Sequence, residues 1–189
     1  MLTKFIFTGI VAAVVLQRLV ELGISKRNAA YILTQGGREH GDNLLNLVKV
    51  LQVNWLIAMM VEVWGLNRPF IPELATFALI VTIAGQVLRY LSMQALGWRW
   101  TLPIITVPGA PVVNTGIYHY LRHPNWLGVT LEIAALPLIH GAYLTAIGFS
   151  VVNAFVMSQR IQTEESALSQ DNNYASAFVE RSRFVPKIW

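Results

Sequence analysis

The chain is organised around one polar stretch, residues 116–126 (GIYHYLRHPNW), which places two histidines, an arginine and three aromatic residues within an otherwise apolar sequence. Three long apolar segments precede this stretch and two shorter ones follow it. A second polar stretch, residues 160–165 (RIQTEE), comes after the last apolar segment. We predict that the two stretches form one site at a membrane face, held there by the rest of the chain.

The composition is that of an integral membrane protein. Of 189 residues, 54% are hydrophobic and 13% are charged, and the mean hydropathy is +0.50. A soluble domain carries about 25% charged residues, whereas apolar runs of about 20 residues are long enough to cross a bilayer. The chain has no cysteine, which excludes disulfides, thiolate metal sites and a cysteine nucleophile.

The apolar segments predict an all-α membrane protein with one domain, residues 1–189. Three full spans occupy residues 1–96, and the first is too long for a signal peptide and lacks a cleavage site. The last two segments are near 15 residues each, which is short for an upright span. They predict a tight helical hairpin that turns at His140-Gly141. The five segments are approximately 2–24, 47–66, 73–96, 126–139 and 142–157.

The connections carry the remaining structural signals. The first, 25–46, is polar, and the third, 97–114, contains three prolines and cannot form a continuous helix. Trp98, Arg99 and Trp100 predict a position at the lipid headgroups. After Arg160 the chain is polar, and we predict short helices at about 162–170 and 174–181.

Polar residues inside the spans have simple interpretations. Arg18 and Glu21 lie three residues apart on one helix face and can pair, or Arg18 can extend to the interface. Glu62 lies near the end of its span, where water contact would explain it. Gly85 would let another helix approach closely.

The distribution of lysine and arginine predicts the orientation. Lys26, Arg27 and Arg38 lie in the first connection, and most later basic residues follow the third span. An odd number of spans puts these two regions on the same side, and cytoplasmic segments carry the basic excess. The N-terminus is therefore predicted outside and the C-terminal part in the cytoplasm. The same basic residues would contact lipid headgroups, and no nucleic acid is expected as a partner.

The polar stretches lack the usual nucleotide and metal motifs. Neither a Gly-x-Gly-x-x-Gly sequence nor a phosphate loop is present. His119 and His123 could share a metal if helical, but Gly116 and Pro124 bracket a loop-like segment, and no third ligand is near. We therefore predict no metal.

The same stretches suit a cationic cofactor and an anionic substrate. Glu164 and Glu165 can neutralise a cation, and Arg160 offers a planar donor fork for a carboxylate or enolate. Tyr118, Tyr120, His123 and Trp126 can stack on a purine or surround a sulfonium. An aromatic belt with a salt-bridged helix start would explain each residue singly, but their clustering favours a site.

The pattern of Gly-Ile-Tyr-x-x-x-Arg-His-Pro-Asn-Trp-x-Gly, two short apolar segments and Arg-Ile-x-x-Glu-Glu resembles the isoprenylcysteine carboxyl methyltransferase family, in its compact prokaryotic branch. That branch includes enzymes thought to O-methylate alkylpyrones. The resemblance covers about residues 97–189 and implies that this part binds S-adenosylmethionine. It implies a lipophilic or lipidated acceptor in a prokaryotic inner or plasma membrane, and no obligate protein partner.

The resemblance also implies roles for individual residues. Arg160 would bind and orient the acceptor, with Arg122 as a second acceptor contact. Trp126 stands where tyrosine is commoner in the family, and the loop at residues 101–114 matches the family poorly. The implied cofactor contacts are Ala110, Pro111, Val112, Val113, Tyr118, His123, Pro124, Asn125, Trp126 and Glu164.

Three alternatives compete with this function. A membrane reductase of the sterol reductase type resembles the family in its C-terminal half, but NADPH needs basic residues for its 2′-phosphate, and no dense cluster is present. Phospholipid N-methylation has an amine substrate, for which Arg160 would be a poor partner. A non-catalytic membrane scaffold would not require two glutamates next to Arg160.

Overall fold

The computed structural model describes residues 1–41 and 44–184, and their regular secondary structure is helical apart from one two-residue strand pair. Within this part, four helices are long and apolar enough to cross a membrane: Leu2–Thr34, Leu44–Gly65, Pro72–Arg99 and Tyr143–Asp171. This confirms an integral membrane protein. The elements are α1 (Leu2–Thr34), β1 (Arg38–Glu39), α2 (Leu44–Gly65), α3 (Pro72–Leu96), β2 (Ile105–Thr106), α4 (Pro124–Ala135), α5 (Tyr143–Asp171) and α6 (Tyr174–Ala177).

Two helices are longer than the sequence predicts. The first helix continues through the polar residues after position 24, because the first glycines of the predicted connection 25–46 are Gly36 and Gly37. The last long helix absorbs the separate short helix predicted at 162–170, since neither glycine nor proline interrupts residues 149–171. Conversely, α6 covers only Tyr174–Ala177 of the predicted 174–181.

The predicted hairpin is present, but its two limbs are unequal. Its first limb is the 12-residue α4 followed by a 3-10 helix, Leu136–His140. Its second limb is the 29-residue α5. Gly141, in the left-handed conformation, makes the predicted turn, and the His140 Nε2 atom lies 3.1 Å from the Thr3 hydroxyl. The first limb thus runs from the polar stretch to the opposite end of the bundle.

A buried network of four charges joins α1, α3 and α4. Arg18 pairs with Glu21 at 3.0 Å, as predicted, but it also pairs with Glu132. Arg89 contacts Glu21 and lies 3.4 Å from Glu132. Arg18 therefore does not extend to the interface. Its partners neutralise it inside the bundle, where an unpaired charge would be costly.

Glu62 has a different role from the predicted water contact. It is buried, and its carboxylate accepts hydrogen bonds from the backbone N–H groups of Leu144 at 3.1 Å and Thr145 at 2.8 Å. The Thr145 hydroxyl and Arg68 also contact this carboxylate. Glu62 in α2 thus caps the otherwise unsatisfied first turn of α5.

Candidate active site

One pocket brings the two polar stretches together, at the end of the bundle where α1 and α3 finish. Its walls are the connection after α3, the residues before and at the start of α4, the second half of α5, and α6. Ten of the predicted site residues line it: Ala110, Val112, Val113, Tyr118, Arg122, His123, Asn125, Trp126, Arg160 and Glu164.

Two other predicted residues, Pro124 and Pro111, do not line the pocket but are chain neighbours of residues that do. Pro124 is fully buried as the first residue of α4, where a proline is well tolerated because that N–H has no helical partner. The carbonyl of Pro111 accepts a hydrogen bond from Arg99 at 2.5 Å.

The connection after α3 is irregular, as its prolines predict, and protein groups hold its backbone. The Asn28 amide donates to the carbonyl of Trp100 at 2.8 Å, and Leu102 N–H donates to Ser25 at 2.8 Å. The predicted interfacial trio divides here: Trp98 is 40% exposed, but Trp100 is 4% exposed and lines the pocket. Its burial follows from the anchoring of its carbonyl by α1.

A second anchor, which the sequence did not reveal, ties this connection to α5. β1 pairs antiparallel with β2, whose residues Ile105 and Thr106 line the pocket, so the first connection braces this part of the wall. The Asp171 carboxylate accepts hydrogen bonds from Thr106 and lies 3.0 Å from His40 Nε2. The Asp171 carbonyl accepts the N–H of Gly109 at 2.9 Å.

The turn before α4 is fixed by Glu165, which the sequence predicted as a carboxylate for a cation, and by Tyr174 and Arg183, which the sequence did not point to. His123 Nε2 lies 3.0 Å from a Glu165 oxygen and 3.4 Å from the Tyr174 hydroxyl. Arg183 donates two hydrogen bonds to the same carboxylate, at 3.1 and 2.6 Å. The adjacency of Glu165 to Glu164 was the available signal, but nothing local identified its distant partners.

The backbone of the same turn is also paired. The N–H groups of Arg122 and His123 donate to the carbonyls of Ser182 and Arg183, at 3.1 and 3.2 Å. The Arg122 side chain donates to the Arg181 carbonyl at 2.5 Å. Residues 181–183 therefore hold the turn that positions the first residues of α4.

Three side chains form the chemical centre of the pocket wall. The indole N–H of Trp126 donates to Glu164 at 2.9 Å, and the Arg160 guanidinium stands over the Trp126 ring, 5.3 Å from its centroid. Arg160 also donates to the carbonyl of Leu102. With 2% of its surface exposed, Arg160 is part of the wall and does not extend into the headgroup layer.

The two tyrosines of the pocket are held neutral. Burial, followed by the negative charge of Glu164, raises the pKa of the Tyr118 phenol far above its usual range. Burial, followed by the charges of Glu165 and Glu164, likewise raises the pKa of Tyr174. Both therefore offer hydroxyl groups for hydrogen bonding and not phenolate bases.

The pocket contains groups that fit a cationic, hydrogen-bonding cofactor. Glu164 supplies a carboxylate, and Trp126 and Tyr118 supply aromatic surface. Asn125 lines the pocket, and its side-chain oxygen is buried with no hydrogen-bond partner among the described residues, which is a costly state for an acceptor unless a ligand satisfies it.

Comparisons with known proteins agree with the family resemblance seen in the sequence. The model of the isoprenylcysteine carboxyl methyltransferase family matches residues 78–170. The uncharacterized protein YpbQ of Bacillus subtilis is 32% identical over 165 residues, covering 87% of this chain and 97% of that protein. A protein-S-isoprenylcysteine O-methyltransferase of Dictyostelium discoideum is 30% identical over 122 residues, covering 61% of this chain and 51% of that protein.

A solved structure is similar in fold. The eukaryotic intramembrane Ras methyltransferase ICMT superposes with a TM-score of 0.54 at 20% identity, over 76% of this chain and 53% of that one. Sequence, architecture and pocket thus agree, and the chain belongs to the isoprenylcysteine carboxyl methyltransferase family.

Proposed function

We propose that this protein is an S-adenosylmethionine-dependent methyltransferase that O-methylates the carboxylate or enolate of a lipophilic acceptor at the membrane. One observation carries the proposal. Glu164, which suits a cation, and Arg160, which suits an anion, both contact the Trp126 indole in one pocket, Glu164 at its N–H edge and Arg160 over its face.

The cofactor would be held by one side of the pocket. Glu164 and the Trp126 ring would face its cationic part, Asn125 would accept a hydrogen bond from it, and Tyr118 would contact it as a neutral hydroxyl. The connection at residues 110–113 would complete the cradle. When bound, S-adenosylmethionine supplies an electrophilic methyl group on a sulfonium.

The acceptor would be oriented by Arg160, with Arg122 as a second contact. A carboxylate or an enolate is already anionic near neutral pH, so the protein does not have to remove a proton from it. What the chain supplies is alignment and exclusion of water, and oriented encounter can contribute roughly 7–11 kcal/mol. The neutral state of both tyrosines agrees with a reaction that needs no phenolate base.

The acceptor is proposed to reach this pocket from the bilayer. The relatives with a named activity act on S-isoprenylcysteine, and an alkylpyrone offers the same combination of apolar tail and anionic oxygen. Apolar residues make up much of the wall, among them Ile32, Leu96, Ile104, Leu168 and Phe178. We place the pocket on the cytoplasmic side, with five passages of the chain and the N-terminus outside.

The pocket arginines bear on the reductase alternative. Arg99, Arg122 and Arg160 all line the pocket, and a 2′-phosphate would need such residues. Each of them also donates to a backbone carbonyl: Pro111 at 2.5 Å, Arg181 at 2.5 Å and Leu102, respectively. Such a bond does not prevent a five-donor guanidinium from binding an anion, so the arginines do not decide between the two functions. The methyltransferase is favoured by the relatives with a named activity, which are O-methyltransferases.

Calorimetric titration of the detergent-solubilised protein with S-adenosylmethionine and with NADPH tests the proposal. We expect binding of the first only, and transfer of a labelled methyl group to a prenylcysteine analogue or an alkylpyrone. Glu164→Ala should weaken cofactor binding without unfolding the protein. Glu73→Ala, at an exposed glutamate of α3, is the control. NADPH binding, or neither ligand binding, would reject the function, and unchanged affinity of folded Glu164→Ala would remove Glu164 from the site.

A further inference from the structure

The Trp126 indole contacts both Glu164 and Arg160. We propose, building on the function above, that Trp126 is a positioning residue that couples the cofactor half of the pocket to the acceptor half. The prediction is that each ligand raises the affinity for the other, and that this cooperativity passes through the indole.

The geometry gives the indole two separate tasks. Its edge donates the N–H to Glu164 at 2.9 Å, and its face carries the Arg160 guanidinium at 5.3 Å. Arg160 and Glu164 lie four residues apart in α5 and therefore share one helix face. A rotation of the rigid ring changes both contacts together, because edge and face cannot move independently.

The ring stands on a firmly packed support. It belongs to the first turn of α4, two residues before Gly128, which packs directly on α3. The same helix carries Glu132 into the buried charge network. A side chain on so constrained a helix holds its neighbours more accurately than one on a loop, so Trp126 can transmit a change at Glu164 to Arg160.

Coupling of this kind is reciprocal for equilibrium binding: the acceptor must tighten cofactor binding by the same factor by which the cofactor tightens acceptor binding. In the wild-type protein, cofactor affinity would be measured by calorimetry with and without a saturating, non-reactive acceptor analogue. The acceptor analogue would be titrated in the same way with and without S-adenosylhomocysteine. We expect equal factors of at least about fivefold, the lower end of typical couplings.

Two substitutions separate the two tasks. Trp126→Phe keeps an aromatic face for Arg160 but removes the N–H donor to Glu164, so cofactor affinity measured without acceptor should fall by about tenfold, while affinity for the acceptor analogue measured without cofactor stays within about twofold. Trp126→Leu removes both contacts and should weaken the binding of the acceptor analogue without cofactor as well. Both should abolish the coupling. Trp64→Phe is the matched control, because Trp64 also donates its indole N–H, to Thr8 at 3.2 Å, but at the other end of the bundle.

The outcomes distinguish this proposal from the function on which it rests. A wild-type protein that binds no S-adenosylmethionine refutes the function itself. A wild-type protein that binds and methylates without cooperativity overturns the role of Trp126 before any variant is made. So does a folded Trp126→Phe that matches Trp64→Phe, or a folded Trp126→Leu that binds the acceptor analogue without cofactor as tightly as Trp126→Phe does.

Discussion

Gly85 of α3 and Gly128 of α4 meet backbone to backbone where the two helices cross. A Cβ atom on Gly85 would lie 2.9 Å from the Gly128 carbonyl oxygen, and one on Gly128 would lie 2.6 Å from the Gly85 carbonyl oxygen. The absence of both side chains sets how closely α4 approaches α3. Since the first residues of α4 form one wall of the pocket, this contact also sets the position of Asn125 and Trp126.

Gly128→Ala should therefore destabilise the protein. The added methyl group must displace backbone, and overpacking of this kind typically costs about 1–3 kcal/mol. The measurement is thermal unfolding in detergent, followed by cofactor binding in the folded fraction. Gly148→Ala is the control, because a Cβ there meets no atom within 4 Å. Equal unfolding temperatures for the two variants would show that the helix crossing accommodates a methyl group at residue 128 without cost.

Glu132→Gln should cost more than a typical surface change. Glu132 is 1% exposed and neutralises Arg18 and Arg89, and removing one partner of a buried ion pair costs roughly 3–5 kcal/mol. A second change, Arg18→Met, restores the charge balance and should recover part of the loss. Unfolding would be measured for the single and double variants beside Glu73→Gln, an exposed glutamate on α3. A double variant less stable than Glu132→Gln alone would contradict charge balance as the reason.

Arg160→Lys should reduce turnover while leaving cofactor affinity nearly unchanged. Lysine keeps the charge but loses the planar group that lies over Trp126 and donates to Leu102. Charged hydrogen bonds contribute roughly 1.5–3 kcal/mol, so we expect about a tenfold to hundredfold drop in methyl transfer.

Arg68→Lys provides the comparison for that variant. Arg68 also stands over an aromatic ring, that of Tyr143 at 5.8 Å, and pairs with a buried glutamate, but it lies at the opposite end of the bundle. Full activity of Arg160→Lys on the acceptor that the wild type accepts would reject its role and direct attention to Arg122 and Arg99.

Topology can be tested with single cysteines, because the natural chain has none. Cysteines at Gln35 and Ser176 should react only with reagent on the cytoplasmic side, and a cysteine at Glu73 only with reagent outside. All three positions are exposed. Gly37 is a poor choice, since a Cβ there would lie 2.5 Å from Ile32. Labelling of Gln35 and Ser176 from opposite sides would contradict the four passages, an even number, that the prediction puts between them.

The sequence predicted the membrane class, the third span and the pocket residues, because those signals are local. Apolar run length fixes a span, and the bounds of α3 match the predicted 73–96 to within one residue. The motif residues are neighbours in two short stretches, so a family resemblance could identify them together.

Long-range partners were the part that the sequence could not supply. His40 and Asp171, whose contact ties the first connection to α5, are 131 residues apart, and no local pattern links them. Glu165 and Arg183 are closer in sequence, but their pairing depends on how the chain returns after α6. The Arg18–Glu21 pair was predicted from its spacing, but the second partner of Arg18, Glu132, lies 114 residues away and was not.

The cap that Glu62 provides for α5 has a consequence for biogenesis. Leu144 follows Glu62 by 82 residues, so α2 is synthesised well before the backbone amides that donate hydrogen bonds to its carboxylate. Arg68, only six residues after Glu62, is available to neutralise it during that interval. When α5 inserts, its first-turn amides bind the Glu62 carboxylate, which is already in place on α2. A chain without the carboxylate would expose a poorly seated final helix to membrane quality-control proteases, so the abundance of Glu62 variants in cells should fall before their intrinsic activity does.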